Sequence, residues 1–441
     1  MSKNILISIL SLAALSVFAI KVASVKYNTI GDRLYSKKVC AEDLKWIADQ
    51  IRNTHPAPFD YISEVHFNQL LQSQISELGE QNTLRDFHWN ARKLIASIGC
   101  GHTSLTGELE EREIADSLLF PMDVRFVGER LYLINDCDKN SNLTSGTEVL
   151  SINGQTTKEI LSSMIKRVSS DGLNPAYPTY SINREPHFFL SQHFALSDHY
   201  ELDIISDNER QNVTIESGVW IAPDPAAAYN EREQLSVQLD PDNDVAVLTL
   251  RSFNYYRNDF EVYREFLDSS MQKIFTSNIN NLIIDIRGNG GGSPECANHL
   301  LRYISSSPYQ YFHNQNIGYP ELKKEILPSG KNYKGKSYMI IDGGCGSTSG
   351  HLASLVKYYK PAILVGETSG ATYKCHDNST NIALPNTRLN LHIARNTFKT
   401  AVTGMSVSTG VIPDIIIEKS LDDWIYETDS VMDSLYQIIS K

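Results

Sequence analysis

YMIIDGGCGSTSGHLASLVKYY, residues Tyr338 to Tyr359, decides the fold. Its opening, Tyr338 to Ile341, has the length and β-branched content of a buried strand. Its end, His351 to Tyr359, sets Leu352, Leu355, Val356 and Tyr359 at helical spacing. Between them run Gly343, Gly344, Cys345, Gly346, Ser347, Thr348, Ser349 and Gly350. Glycines let a strand turn sharply into a helix, and a hydroxyl at such a corner sits where unpaired N–H groups and the helix dipole favour negative charge. Two readings of Ser347 follow, a helix cap and a nucleophile.

Two neighbouring stretches weigh on that choice. NLIIDIRGNGGG, Asn281 to Gly292, is again a buried strand followed by a glycine loop able to bring bare N–H groups to a ligand; its competing reading is close strand packing. GETSGA, Gly366 to Ala371, follows a third apolar run, Ala362 to Val365. In this order, and with GVIPD at Gly410 to Asp414, the three units resemble the C-terminal processing (tail-specific) peptidases and their tricorn-like branch, over roughly residues 40 to 420. The resemblance implies that Ser347 is the nucleophile and that the catalytic domain is a crotonase/ClpP-like ββα spiral. The fold class expected is therefore α/β, with an N-terminal helical segment and a PDZ-like β-rich domain added to that spiral.

A lone histidine is ordinarily a surface or core residue, but GHTSL at Gly101 to Leu105 follows a helical run. It resembles the segment that supplies the base in the histidine-using branch, which implies His102 as base, and imidazole suits that task near neutral pH. Acyl transfer also needs donors aimed at the oxygen that becomes negative. The backbone N–H of Thr348 is one, and Gly290 or Gly291 is expected to supply a second. The chain departs from its relatives elsewhere. Where the lysine-using enzymes carry their base stands Ala371 or Thr372, and Lys374 is a displaced alternative. The tricorn-like branch has a glutamate shortly before GV-x-PD and a serine before its histidine; here stand Val407 or Ser408, and Gly101. The expected site is a Ser347/His102 dyad with an unassigned orienting group. Glu367, on the neighbouring loop, is a candidate for that group or a structural carboxylate.

The chain has 441 residues, 41% hydrophobic and 21% charged, an ordinary globular balance with room for two or three domains. A net charge of −12, spread along the chain, argues against nucleic acid and serves solubility. Lys3, the apolar run Ile5 to Ile20 and small residues at Ala19, Ala23 and Ser24 form an export signal, with cleavage expected after Ala19 or Ser24. The run is short for a bilayer span, so a membrane attachment arises only if the segment stays uncleaved. A secreted or periplasmic setting makes disulfides unsurprising among Cys40, Cys100, Cys137, Cys296, Cys345 and Cys375, although spacing does not pair them. Cys100 and Cys345 each precede a proposed catalytic group by two residues, which should bring them close to each other or to the site. No pair has zinc-knuckle spacing, so neither metal nor cofactor is expected.

The expected organisation is a signal peptide at 1–24, a helical segment carrying the histidine motif at 38–110, a PDZ-like domain at 115–172, a catalytic α/β domain at 173–420 and a C-terminal helix at 421–441. Helical periodicity covers Ala41 to Asn53, Phe67 to Leu78 and Leu84 to Ile98. Alternation around Gly128 predicts a hairpin, and the strand, Asn153-Gly154 turn and helix after Gly146 resemble the second half of a PDZ domain without its GLGF-type loop. Strands are expected at Ser191 to Ile205, Gln211 to Ile221 and Val411 to Ile417. The function expected is a serine peptidase acting on peptides or unfolded proteins. The alternative is an inactive relative that binds peptides or apolar ligands in the same cleft; a different hydrolase or hydratase on the same core is a third reading, disfavoured by RGNGGG, Ser347 and His102 together.

Overall fold

The computed structural model describes residues 30–106, 119–135, 143–206, 208–218 and 234–441. The export signal at 1–24, the ends of the first two expected domains at 107–110 and 115–118, Cys137 and the strand end at 219–221 lie outside the described residues.

Three helices open the described chain: α1 (Lys37–Thr54), α2 (Glu64–Glu77) and α3 (Leu84–Ala96). Each begins on a hydroxyl that accepts the N–H three residues on, Ser36 from Val39, Ser63 from His66 and Thr83 from Asp86. Leu44, Ile47 and Ile51 of α1 close on Phe67, Leu71, Phe87 and Leu94, the faces that the sequence periodicity picks out. The chain then runs through His102 into the short strand β1 (Ser104–Thr106).

A second unit is one antiparallel sheet, in the order β2 (Val124–Val127), β3 (Arg130–Leu133), β4 (Glu148–Ile152), β5 (His199–Ser206) and β6 (Glu209–Glu216). The hairpin at Gly128 is present as expected. Against the sheet pack α4 (Thr157–Ile165), which starts in a capping box between Thr156 and Glu159, then α5 (Ala176–Arg184) and α6 (Pro186–His193). The boundary expected at 172/173 is therefore moved. Along β5, Tyr200, Leu202 and Ile204 alternate into the same core as Val124, Leu131 and Val149, so this sheet runs on to Glu216. Ser191 to His193, expected as strand, ends a helix instead, because Pro186 at its first turn favours helical entry.

The remaining half is built on a six-stranded sheet: β7 (Leu235–Asp240), β8 (Val245–Leu250), β9 (Asn281–Asp285), β10 (Lys336–Ile341), β11 (Ile363–Gly366) and the two-residue strand Ile415–Ile416. Only the first pair is antiparallel. The central strands are buried on both faces, as parallel sheets are. Leu282, Ile284, Met339, Ile341 and Leu364 pack under α7 (Phe260–Thr276), α8 (Pro294–Ile304) and α9 (Ser347–Tyr359). Ile283, Tyr338, Ile340 and Val365 face the other way, onto Val431 and Leu435. The expected strand at Val411 to Ile417 shrinks because Pro413 has no N–H to give to a ladder. The expected C-terminal helix is two, α10 (Leu421–Ile425) and α11 (Ser430–Ile439), separated where Asp423 gathers bonds from Ser420, Thr428 and Ser430.

Four strands join the halves: β12 (Lys374–Asp377), β13 (Thr380–Ala383), β14 (Asn390–Ile393) and β15 (Asn396–Lys399). β1 pairs with β14, Leu105 opposite Leu391, and Leu384, Leu389 and Ile393 fill the core of the N-terminal helices. Asp43 of α1, fully buried, accepts the N–H groups of Asn386 and Thr387 at 3.1 and 2.8 Å and the Thr387 hydroxyl at 2.6 Å. That latch carries the segment around His102 to the catalytic half.

Candidate active site

Ser347 opens α9 directly beyond β10, half-buried, with φ +47°. A non-glycine residue held in the left-handed region costs about 1–3 kcal/mol, and strand-to-helix corners that expose a nucleophile store such strain. Asp342, at the end of β10, shapes the corner by accepting the N–H groups of Gly288 and Gly344 at 2.8 and 2.9 Å. Burial pushes its carboxyl above the usual range, and those two N–H groups oppose the shift.

The glycine loop lies against this corner. A Cβ on Gly291 would stand 2.8 Å from Cβ of Ser347 and 2.9 Å from N of Thr348, and φ there is +105°, so only glycine fits. The Gly291 N–H donates to Asn289 Oδ1 at 2.9 Å, and Gly346 N–H donates to Asn289 O at 3.1 Å. Among the described residues the N–H groups of Gly290 and Thr348 carry no hydrogen bond. Gly290 has open space where a side chain would project. Of the two glycines expected as second oxyanion donor, Gly290 is thus the one with a donor to give. Behind the loop, Asp285 is 2% exposed and takes paired bonds from Arg251 and Arg287, while Arg287 also grips Asp429. Burial opposes the charge on Asp285, but the two guanidinium groups hold its carboxyl below the ordinary range.

The histidine side is assembled from several segments. His102 Nε2 stands 3.8 Å from Asp377 Oδ2, and its Nδ1 is buried without a partner. The ring is within charge reach of Asp171 and of His351, which lies one helical turn beyond Ser347 on α9. Strand β12 links the two sides by alternation: Asp377 faces His102, and Cys375, two residues earlier, lies beside the Ser347 side chain and stands 3.4 Å from His351 Nε2. Burial raises the Cys375 thiol well above its ordinary value and lowers His351 to about 3, so both are neutral packing partners at neutral pH.

The intervening residues of β12 face away. Lys374 forms an ion pair with Asp60, and His376 meets the His55 ring edge-on, with 4.8 Å between centroids. Lys374 is therefore held by a carboxylate of the N-terminal segment. Glu367 accepts the Lys419 N–H at 2.9 Å, and burial followed by nearby carboxylates raises its pKa; the charged groups around it are Asp342, Glu418 and Lys419 rather than His102. Cys100 and Cys345 belong to different hydrophobic clusters. Cys100 approaches the His376 carbonyl at 3.8 Å and Cys345 the Ile286 carbonyl at 3.1 Å. The described cysteines, Cys40, Cys100, Cys296, Cys345 and Cys375, are all free and buried, so the disulfides that an oxidising setting would allow are not formed among them. Asp377 and Asp171 were not singled out in the sequence, and Cys375 only as one of the cysteines; they stand in CHD at Cys375 to Asp377, three residues beyond GETSGA, and in SSDG at Ser169 to Gly172.

Residues 244–417 match the profile of Peptidase family S41. No curated protein sequence matches the chain. Among solved structures, mature CPAF complexed with lactacystin is similar over 91% of this chain and 98% of that one, with 14% identity and a TM-score of 0.62. Mature CPAF is similar over 91% and 97%, with the same identity and score. The photosystem II D1 C-terminal processing protease covers 92% and 97% at 11% identity and a TM-score of 0.42. At these identities, the CPAF likeness is one of fold.

Proposed function

We propose that this member of peptidase family S41, matched to it over residues 244–417, hydrolyses peptide bonds through Ser347 with His102 as base. The observation that carries the reading is the corner itself: a strained serine at a strand-to-helix turn, faced by a glycine loop with an unbonded N–H at Gly290 and another at Thr348. His102 takes the hydroxyl proton as Ser347 attacks the substrate carbonyl. The two N–H groups meet the oxygen that becomes negative, and the protonated imidazole then delivers its proton to the departing amine. Water repeats the sequence to release the acyl group.

In this proposal the enzyme is secreted or periplasmic after loss of residues 1 to about 19 or 24, by the signal pattern. It trims peptides or unfolded proteins in the tail-processing manner, with the sheet of β2 to β6 as a PDZ-like module and the six-stranded half as a crotonase-like core. The experiment is hydrolysis of unfolded protein and of synthetic peptides by wild type and by Ser347→Ala. Turnover by wild type and none by the variant is expected; equal turnover in both would overturn Ser347 as the nucleophile, and binding without turnover in both would favour the inactive relative.

A further inference from the structure

We propose that Asp171 is the positioning residue of this site, the carboxylate that holds the His102 imidazole in the tautomer and orientation Ser347 needs. The inference rests on the Ser347/His102 reading above and names its unassigned third member.

The loop Ser169 to Asn174 is fastened to both sides of the site. Toward the histidine segment, Ser169 Oγ donates to Thr103 O at 2.7 Å, Gly101 N–H donates to Asp171 Oδ1 at 2.9 Å, and Gly172 N–H donates to Gly99 O at 2.9 Å. Toward the catalytic loops, Leu173 N–H donates to Ser408 O at 2.8 Å, and Asn174 Nδ2 donates to Ser369 O and Gly370 O at 2.8 and 3.0 Å. Gly172, at φ +76°, lies so close to Ser408 that a Cβ would come within 2.7 Å of its carbonyl oxygen. Asp171 sits at the centre of this staple and is 5% exposed.

Two unmet needs coincide there. His102 Nδ1 is buried and has no partner, a state that costs about 1–3 kcal/mol unless relieved. One oxygen of Asp171 takes the N–H of the residue just before His102, and its other oxygen has no hydrogen bond among the described residues. A buried carboxylate with a single backbone bond is stabilised when a donor or positive charge arrives, and His102 supplies both as it accepts the serine proton. In the reaction the Ser347 proton passes to Nε2, the new imidazolium donates Nδ1–H to Asp171, and the proton leaves from Nε2 to the amine. Asp171 stays ionised throughout.

The other titratable groups within charge reach of His102 are Asp377, His351, His376 and His392. The three imidazoles lack charge to offer at neutral pH, since burial lowers each. Asp377 is nearer to Nε2, at 3.8 Å, but its side chain is 40% exposed, where water screens its charge. It stands beside the nitrogen that must be left for Ser347.

The test is Asp171→Asn, which keeps a carbonyl oxygen for the Gly101 N–H but removes the charge and puts an NH2 donor where the second acceptor oxygen stood. We expect kcat to fall by roughly a thousandfold to ten-thousandfold with KM within twofold of wild type, Tm unchanged, and the acid limb of kcat/KM moved to lower pH. Asp171→Glu should regain part of the loss, and Asp377→Asn should cost less than about tenfold. An active wild type indifferent to Asp171→Asn, or one whose kcat collapses instead in Asp377→Asn, would overturn the inference alone. An inactive wild type would overturn the serine-peptidase reading and this inference with it.

Discussion

The two sides of the site are built in opposite ways. The Ser347 side is local: β10, its corner and α9 are one continuous stretch, and the facing loop of Gly288 to Gly292 lies on the adjacent parallel strand, with Asp285 paired opposite Ile340. Asp342, Asn289 and Asp285 take up the N–H groups of Gly288, Gly344, Gly291 and Arg287 there, while those of Gly290 and Thr348 carry no hydrogen bond among the described residues. The His102 side is a meeting of distant segments: Gly99 to Ser104, Ser169 to Asn174 and Lys374 to Ser379. Three buried imidazole nitrogens on that side, on His55, His102 and His376, have no hydrogen-bond partner among the described residues, and a fourth, on His351 of α9, lies where the two sides meet. A rigid nucleophile corner therefore faces a base whose placement depends on tertiary contacts, and the two should respond differently to mutation and to acid.

The largest effect should come from the base. His102→Ala is expected to lower kcat by roughly four to six orders of magnitude, as removal of a member from a serine hydrolase unit does, in steady-state peptide hydrolysis. Full activity in His102→Ala would break the comparison at once. Next is Gly291→Ala, whose methyl would meet Ser347 and Thr348. A loss of about a hundredfold in kcat is expected, the size of one disturbed oxyanion donor, and a loss under threefold would mean that the loop yields.

A third substitution sharpens the contrast from far away. Asp43→Ala removes the acceptor for the Asn386 and Thr387 N–H groups and should destabilise the protein by about 2 kcal/mol in denaturant melts. Because the latch carries the His102 side, part of that loss should appear as lower kcat while the Ser347 corner stays intact.

Acid should act on the histidine side as well. Burial lowers His55 to about 4 and His88, His351 and His376 to about 3 in the folded state. Between the unfolded value of about 6.5 and those values, the unfolded chain binds protons that the folded chain refuses, so stability falls as pH falls through that window. Each such histidine contributes up to about 1.4 kcal/mol per pH unit. Urea unfolding at pH 7.5 and pH 5 should show the loss, and His376→Gln should lessen it by roughly 1 kcal/mol. The smallest effect belongs to Lys374→Ala, which loses an ion pair with Asp60 and should change kcat less than twofold.

What the sequence revealed follows the same division. A strand, a glycine turn and a helix leave their mark in consecutive residues, so Ser347, RGNGGG and the helices of the N-terminal segment were readable from periodicity and turn chemistry. Asp171, Cys375 and Asp377 have no local signature. Their neighbours are His102 and Ser347 only because β1 pairs with β14 and because the loop after Ser169 is bonded to Gly99 and Ser408. The sheet running to Glu216 was missed for a related reason: β5 joins β4 across three intervening helices that start at Thr157, Ala176 and Pro186, and Pro186 marks a helix start that an apolar stretch conceals.

The most direct test of the account is the reaction of a fluorophosphonate with wild type and with His102→Ala, followed by mass spectrometry of the digested protein. An activated serine and a working oxyanion site are needed for labelling. The account predicts a single adduct on the peptide carrying Ser347 in wild type, formed at least about a thousand times more slowly in His102→Ala. Equal labelling rates in the two proteins, an adduct on another residue, or no adduct in wild type would contradict it.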